Sequence, residues 1–437
     1  MHHQVDGQSV SNSKPDQSTA TTVVASGDNV AGGSRMVQQQ SSSTNRKNFS
    51  LGKFSTVGSP VLCRALVAFG SRELPRICEV TVGVPLDGEV RVRMLCASIC
   101  PTDTEAAVAT EPSGFRFPCV LGHEGAGVVE SVGPGVKSVK SGDYVIPCFL
   151  PFCGRCSLCK SGKTNLCDSG KQTTRLGLMQ DGSTRFRLSG SDQQVFHFLG
   201  TSTLSEFSVI HEHHLAKVSK RAPPDRVCLL SCTVPCGLGA VFNTAQVVEG
   251  STSAVFGLSL VGLAVIEALR LSNARRIIAI DIDDEKLSIA RGWGATDCVN
   301  PGNCSGELPR VIQELSNGGV DYSFDCVGTS SVSRAALDCC HSGWGLATLV
   351  GCGGSTSSQL PFDQGQALSG KAWKGSIFGG YKSRAEIPVL VERYLSGEIM
   401  LNRFQVNRIS LSSFAQGFSL VREGKCTAHQ VVVFHQS

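Results

Sequence analysis

The spacing of apolar positions divides the chain near residue 233. Before it, Val61-Leu-Cys-Arg-Ala-Leu-Val-Ala-Phe69 and Glu89-Val-Arg-Val-Arg-Met-Leu95 read as strands, the second alternating at period two. Gly and Pro punctuate this half often, so residues 60 to about 230 are expected to be mostly β with long loops. After it, strand and helix signals alternate. Ser253-Ala-Val-Phe256 is a short apolar strand, and the run from Leu260 to Arg270 a helix. Arg276-Ile-Ile-Ala-Ile-Asp281 is a second strand, and Asp284 to Gly292 a second helix. Val320–Asp325 and Leu346–Gly351 read as later strands, a helix is expected near 385–396, and Gln430-Val-Val-Val-Phe434 ends the pattern as a strand. Strands alternating with helices imply an α/β, doubly wound parallel sheet of the Rossmann type. The expected organisation is a tail at 1–55, a mostly β domain at 56–233, a doubly wound domain at 234–377, and a return to the first domain at 378–437.

Residues 1 to about 54 are rich in Ser, Gln, Thr, Asn and Gly, with no aromatic before Phe49. Such a stretch cannot bury enough apolar surface to offset its ordering entropy, so it is expected to be disordered. Transit peptides are also Ser-rich, but Asp6, Asp16 and Asp28 and the scarcity of Arg argue against one. The remainder is globular in composition: of 437 residues, 41% are hydrophobic and 17% charged. A net charge of +4 without a Lys/Arg block argues against a nucleic-acid partner. No apolar run approaches twenty residues, so no membrane-spanning helix is expected. Twenty cysteines without a secretory pattern point to a reducing, cytoplasmic setting in which thiols bind metal rather than form bridges.

The densest chemistry lies at Cys153, Cys156, Cys159 and Cys167, spaced C-x2-C-x2-C-x7-C. Structural zinc takes four thiolates in a tetrahedron, and these spacings let one loop supply them. Disulfides are the alternative, although bridges among cysteines two residues apart are strained. Three further segments carry potential ligands: Cys100-Pro101-Thr102-Asp103, Gly122-His123-Glu124-Gly125, and Ser231-Cys232 with Cys236-Gly237. Two Cys and one His from separate loops suit a catalytic zinc, which leaves one position open. Taken singly, a lone His is more often a satisfied loop residue and a lone Cys a small core residue.

A nucleotide site is expected at Gly257-Leu-Ser259-Leu-Val-Gly262, between strand and helix. This is G-x-G-x-x-G with its middle glycine replaced by Ser259. Asp281, ending the next strand, can accept from both ribose hydroxyls and would repel a 2′-phosphate, which favours NAD. An ordinary βαβ turn with a solvated Asp is the other reading. Lys286 either helps hold the ribose or is a solvated helix residue.

Together these residues resemble the zinc-dependent medium-chain alcohol dehydrogenases, in the group that includes glutathione-dependent formaldehyde dehydrogenase. The resemblance runs from about Thr56 to Phe434. It also rests on Gly-His-Glu-Gly-Ala-Gly at 122–127, Lys-Thr-Asn-Leu-Cys at 163–167, Phe-Leu-Gly-Thr-Ser-Thr at 198–203 and Trp-Lys-Gly-Ser-Ile-Phe-Gly-Gly at 373–380. It implies a GroES-like catalytic domain, two zinc ions per chain and NAD. Cys100, His123 and Cys232 would hold the catalytic zinc; Cys236 falls instead where the family has a cofactor-side threonine. Glu124 would sit behind the metal, Asp103 would orient His123, and Thr102 would take the proton of the zinc-bound alcohol. Phe149 and Leu199 match positions that line the substrate pocket. Lys171 stands where the glutathione-dependent branch has an Arg, and Glu111 lies near an acidic position of that branch; Lys171 is otherwise a solvated loop residue. The family also implies a homodimer built around Trp373 to Gly380.

The chain departs from the family pattern at several places. Pro101 replaces a basic residue over the cofactor pyrophosphate, Glu105 a proton-relay His, and Ser259 and Leu260 two glycines of the phosphate turn. His429 lies near a phosphate-binding Arg, one residue out of register. A lost charged contact to phosphate costs on the order of 1–3 kcal/mol, about ten- to hundredfold in affinity. The expected activity is hydride transfer from a zinc-bound alcohol, or from a hydroxymethyl-glutathione adduct, to NAD, with aldehyde reduction as the reverse. The alternative is a divergent, weakly active paralogue that keeps its zinc sites and binds or regulates.

Overall fold

The computed structural model describes residues 56–70, 73–108, 115–351 and 364–434. The expected tail and Glu111 lie outside the described residues. Among the described residues, eighteen strands form three sheets. A closed barrel joins β1 (Val61–Ala68), β2 (Arg76–Val82), β4 (Cys119–Val120), β7 (Phe186–Leu188) and β8 (Gln194–His197). A seven-stranded sheet runs in the order β10 (Leu215–Val218), β6 (Tyr144–Pro147), β5 (Glu124–Val132), β3 (Glu89–Ile99), β18 (His429–Val433), β17 (Val406–Ile409). Its seventh strand, β9 (Phe207–His211), pairs with β3. The third sheet has six strands in the order β13 (Asp297–Val299), β12 (Arg276–Ile280), β11 (Thr252–Phe256), β14 (Tyr322–Asp325), β15 (Leu346–Leu349), β16 (Ala372–Gly375).

All pairings in the third sheet are parallel. Every residue of β11 is buried, as expected for a strand covered by helices on both faces. The helix Leu260–Leu271 returns from β11 to β12 and buries Leu263, Ala264, Val265, Ile266, Ala268 and Leu269 against the sheet. Each large aliphatic side chain so buried contributes about 1.5–3 kcal/mol. Two glycines make this turn possible. Gly257 has φ +83, and a Cβ on Gly262 would lie 2.1 Å from the Gly257 carbonyl oxygen.

The β-rich half carries more short helices than its composition predicts, among them Pro101–Val108 and Thr233–Gly239. The C-terminal return is placed by pairing: β18 runs antiparallel to β3, with Val431 opposite Ser98 and Gln430 opposite Ile99. The final segment therefore lies beside the strand that leads into Cys100. Among the described residues, no single helix is long and apolar enough to cross a membrane.

Candidate active site and metal centres

Strand register assembles the first half of the site. β3 ends at Ile99, and its neighbour β5 begins at Glu124, with Ser98 opposite Glu124. Cys100 leaves one strand where His123 enters the other. Cys232 comes from a third place, the junction between the 3-10 turn Cys228–Ser231 and the helix Thr233–Gly239. The residues flanking it tie it down. The Ser231 hydroxyl bonds both the N–H and the carbonyl of Gly125, each at 2.9 Å. The Thr233 N–H and hydroxyl both donate to Glu124 Oε1. As a result the ligand atoms of Cys100, His123, Glu124 and Cys232 all lie within 4.8 Å of one another, with Cys100, His123 and Glu124 buried and Cys232 half-buried.

Asp103 orients this cluster with one carboxylate. Oδ2 accepts from the Cys100 N–H at 2.9 Å, and Oδ1 lies 2.9 Å from His123 Nδ1. The first contact caps the helix Pro101–Val108, whose proline sits at its first position where no N–H is needed. The second leaves His123 Nε2 to face the thiols, the carboxylate–histidine arrangement that supports a metal-binding imidazole. Burial disfavours the charged form of His123, but Asp103 and Cys100 outweigh it and hold the imidazole well above its usual range. Cys100 is held well below the usual thiol range, by a hydrogen bond with Cys232 and then by the charge on His123, against burial. Burial first, then the charge on Cys100, push Glu124 up to about 8. Its Oε2 is buried with no hydrogen-bond partner among the described residues. Two thiols, an imidazole and an unsatisfied carboxylate oxygen around one point suit a divalent cation with borderline-soft character, as zinc has.

The four-cysteine loop fits a metal for different reasons. Every described cysteine is a free thiol, and Cys153 Sγ lies 3.9 Å from Cys159 Sγ, far beyond a disulfide bond. Thiolates tetrahedral about zinc stand roughly 3.8 Å apart, given Zn–S near 2.3 Å. Backbone N–H groups point at the sulfurs: Arg155 and Cys156 at Cys153, Cys159 at Cys156, and Cys153 and Ser169 at Cys167, all at 3.4 Å. Backbone N–H groups, that of Asp168 first, lower the Cys156 thiol to about 6. The bridged reading gives way to a thiolate knot.

Around His123 the walls are aromatic. Phe149 and Phe198 meet its ring edge-on at 5.9 and 6.0 Å, and Phe378 meets Phe149 at 5.2 Å. Phe149 was expected there. Leu199, also expected, is half-buried with φ +50, while its neighbour Phe198 makes the contact. Phe198 and Phe378 were missed as wall residues, although the runs at 198–203 and 373–380 contain them. Thr102 Oγ1 lies 3.9 Å from Cys100 Sγ, on the half-buried face of its helix, and Glu105 is exposed one turn later. Lys171 is exposed at the start of the helix Lys171–Arg175.

At the nucleotide turn, Ser259 caps the helix by accepting from the Gly262 N–H at 3.5 Å. Asp281 accepts from the Leu258 N–H at 2.7 Å and the Asp283 N–H at 3.1 Å, which fixes its carboxylate beside the turn. Lys286 Nζ donates to the Gly424 carbonyl at 2.8 Å, bridging to the C-terminal return. His429 is buried and burial lowers it to about 3, so it is neutral near pH 7 and brings no charge to a phosphate.

Comparison with known proteins agrees with this geometry. Residues 86–220 match the alcohol dehydrogenase GroES-like domain, and residues 261–396 the zinc-binding dehydrogenase domain. The chain is 46% identical to an alcohol dehydrogenase class-3 of Oryza sativa subsp. japonica over 375 residues, 85% of this chain and 97% of the relative. It is 45% identical to the alcohol dehydrogenase class-3 of Pisum sativum, over 85% and 98%. Among solved structures, an alcohol dehydrogenase zinc-binding domain protein from Burkholderia ambifaria superposes with TM-score 0.79 at 29% identity, covering 86% of this chain and all of that one. Benzyl alcohol dehydrogenase from Acinetobacter calcoaceticus gives 0.77 at 25%, with the same coverage. The fold, the two thiol-rich centres and these likenesses together establish that the chain belongs to the zinc-dependent medium-chain alcohol dehydrogenases, enzymes of zinc and NAD.

Proposed function

We propose that the chain oxidises a primary alcohol with NAD at the Cys100–His123–Cys232 centre, and that the hydroxymethyl adduct of glutathione is among its substrates. The observation that carries the first part is the convergence of two thiols and an oriented imidazole, with Glu124 behind them, at the end of β3. Zinc at this centre supplies Lewis acidity that favours the alkoxide, and NAD supplies the hydride acceptor. Cys153, Cys156, Cys159 and Cys167 hold the second, structural zinc. The protein's own residues do the rest. Asp103 keeps His123 Nδ1 protonated and Nε2 free, Thr102 takes the alcohol proton outward, and Phe149 and Phe198 exclude water. Gly257, Ser259 and Gly262 form the phosphate turn and Asp281 holds the ribose. Lys286, on the helix that follows Asp281, is its second ribose contact. The zinc-centre domain spans 56–233 and 378–437, and the NAD domain 234–377.

Kinship with class-3 alcohol dehydrogenases and the exposed cation Lys171 support the glutathione adduct. A homodimer through β16 is supported by that strand's place at the sheet edge, with Ala372, Lys374 and Gly375 exposed. The free thiols support a cytoplasmic setting. The test is oxidation of ethanol, longer alcohols and formaldehyde, with and without glutathione. Formaldehyde turnover that depends on glutathione is expected; equal turnover without it rejects the adduct. No detectable NAD binding by a chain holding two zinc ions would favour the binding or regulatory alternative. Pro101→His is expected to tighten NAD about tenfold, by restoring a charge over the pyrophosphate.

A further inference from the structure

The four-cysteine loop and the substrate wall meet in one short segment, residues 377–381. Asn165 lies inside the loop, two residues before Cys167, and is buried. Its Nδ2 donates to the carbonyls of Ile377 at 2.8 Å and Tyr381 at 3.3 Å, more than two hundred positions away in sequence. Between those carbonyls sits Phe378, with φ +52 and its side chain buried. That backbone conformation is disfavoured for a residue with a Cβ, so it persists only where its surroundings hold it. Phe378 is the ring that meets Phe149, and Phe149 meets His123.

The segment is pinned on its other sides as well. Asn243 Nδ2 donates to the Gly379 carbonyl at 3.0 Å. Gly379 and Gly239 pack so closely that a Cβ on Gly239 would lie 2.0 Å from the Gly379 oxygen, and Gly239 belongs to the helix that starts beside Cys232. Ser383 donates to the carbonyl of Leu150, the residue after Phe149.

We propose that Asn165 is a positioning residue for substrate: it fixes segment 377–381 so that Phe378 braces Phe149 against His123. The order of the four-cysteine loop thereby reaches the alcohol pocket, and the shape of the pocket depends on a residue that touches no substrate. This rests on the alcohol-oxidation reading above, but wild-type turnover tests that reading by itself.

The experiment compares wild type, Asn165→Ala, Phe378→Leu and the double variant with a small and a bulky primary alcohol. Losing two buried donors should raise KM for the bulky alcohol about tenfold, with kcat nearly unchanged and two zinc ions still bound. If Asn165 acts through Phe378, the double variant should be little worse than Phe378→Leu alone, because coupled effects do not add. Amide exchange in 377–381 should also quicken in Asn165→Ala, with the β3–β5 core unchanged. Full additivity, or an unchanged preference between the alcohols, overturns the proposal. Should Asn165→Ala not fold, Phe378→Leu decides alone, since wild-type behaviour there removes the brace. Wild type inert toward every alcohol would instead defeat the underlying functional reading.

Discussion

The two thiol-rich centres are built on opposite principles. The four-cysteine loop takes all its ligands from fifteen consecutive residues and satisfies its sulfurs with its own backbone N–H groups. The Cys100–His123–Cys232 cluster takes its ligands from positions up to 132 residues apart (232 − 100) and orients them with partners from other elements: Asp103, Ser231 and Thr233. The loop stands near the surface, with Cys153 and Cys156 only half-buried, whereas in the dispersed cluster Cys100, His123 and Glu124 are buried and only Cys232 is half-buried. A local site can form once its loop closes around metal. A dispersed site exists only when the sheet register is correct, so its affinity reports on the whole fold. The difference explains why one centre suits a structural role and the other suits chemistry. Buried groups of unlike charge preference, such as Glu124 raised and Cys100 lowered, mark a place prepared for a cation.

Four experiments test this contrast, from the largest effect to the smallest. Cys156→Ser should reduce metal from two ions to one per chain and cost several kcal/mol of folding free energy, because binding at a structural thiolate site is coupled to folding. A folded Cys156→Ser protein with full zinc content would remove the structural assignment.

Acid should act next, on the framework beside the loop. His214 donates from Nδ1 to the Cys148 carbonyl at 2.9 Å, just before the loop, and burial lowers it to about 4. His197, in the barrel, is lowered to about 3 by burial and then by Arg185. Below pH 6.5 the unfolded chain protonates both, and the folded chain does not until pH falls to about 4 and 3. Stability is therefore complete above pH 6.5 and is lost as pH falls through those windows, by roughly 3 kcal/mol for His214 and roughly 5 kcal/mol for His197. Urea midpoints from pH 7 to 4 should show the loss, and His214→Gln should flatten the limb. An unchanged limb would exclude His214 as a source.

Asp103→Asn should leave the fold and the loop metal in place. It should weaken metal binding or turnover at the dispersed centre by about 10- to 100-fold, read by chelator competition. If both centres lost metal equally, the distinction between them would fail. Thr233→Val should be mildest, costing about 1 kcal/mol of stability through the lost hydroxyl donor to Glu124. A loss of 4 kcal/mol or more would mean that Glu124 depends on Thr233 alone.

Much of the fold was legible because its signals are local. The helix Leu260–Leu271 and strands β11 and β12 lie within one or two residues of their expected ends, since apolar periodicity and the cap at Ser259 act over a single turn. β3 runs four residues beyond its expected end at Leu95, because Cys96, Ala97, Ser98 and Ile99 are paired by β5 and β18 rather than marked by alternation. Lys286 was readable as helical but not as bonded to Gly424, a partner 138 residues on. Phe378 lay within the run quoted at 373–380, but its contact with Phe149 was not legible there, since it comes from a backbone held by Asn165 and Gly239.

The sequence by itself determined that four cysteines crowd into Cys153–Cys167 at metal-ligand spacing, that strands and helices alternate from 253, and that Gly257 and Asp281 flank one turn. These follow from spacing within a few residues, where covalent geometry limits the choices. Only the tertiary structure decided that Cys100, His123, Glu124 and Cys232 share one point, that a single Asp103 carboxylate serves both Cys100 and His123, and that Phe378 closes the pocket wall. Those contacts depend on the register of β3 against β5 and on the packing of residues 377–381 against the helix Thr233–Gly239. Such contacts are long-range, and no local pattern encodes them.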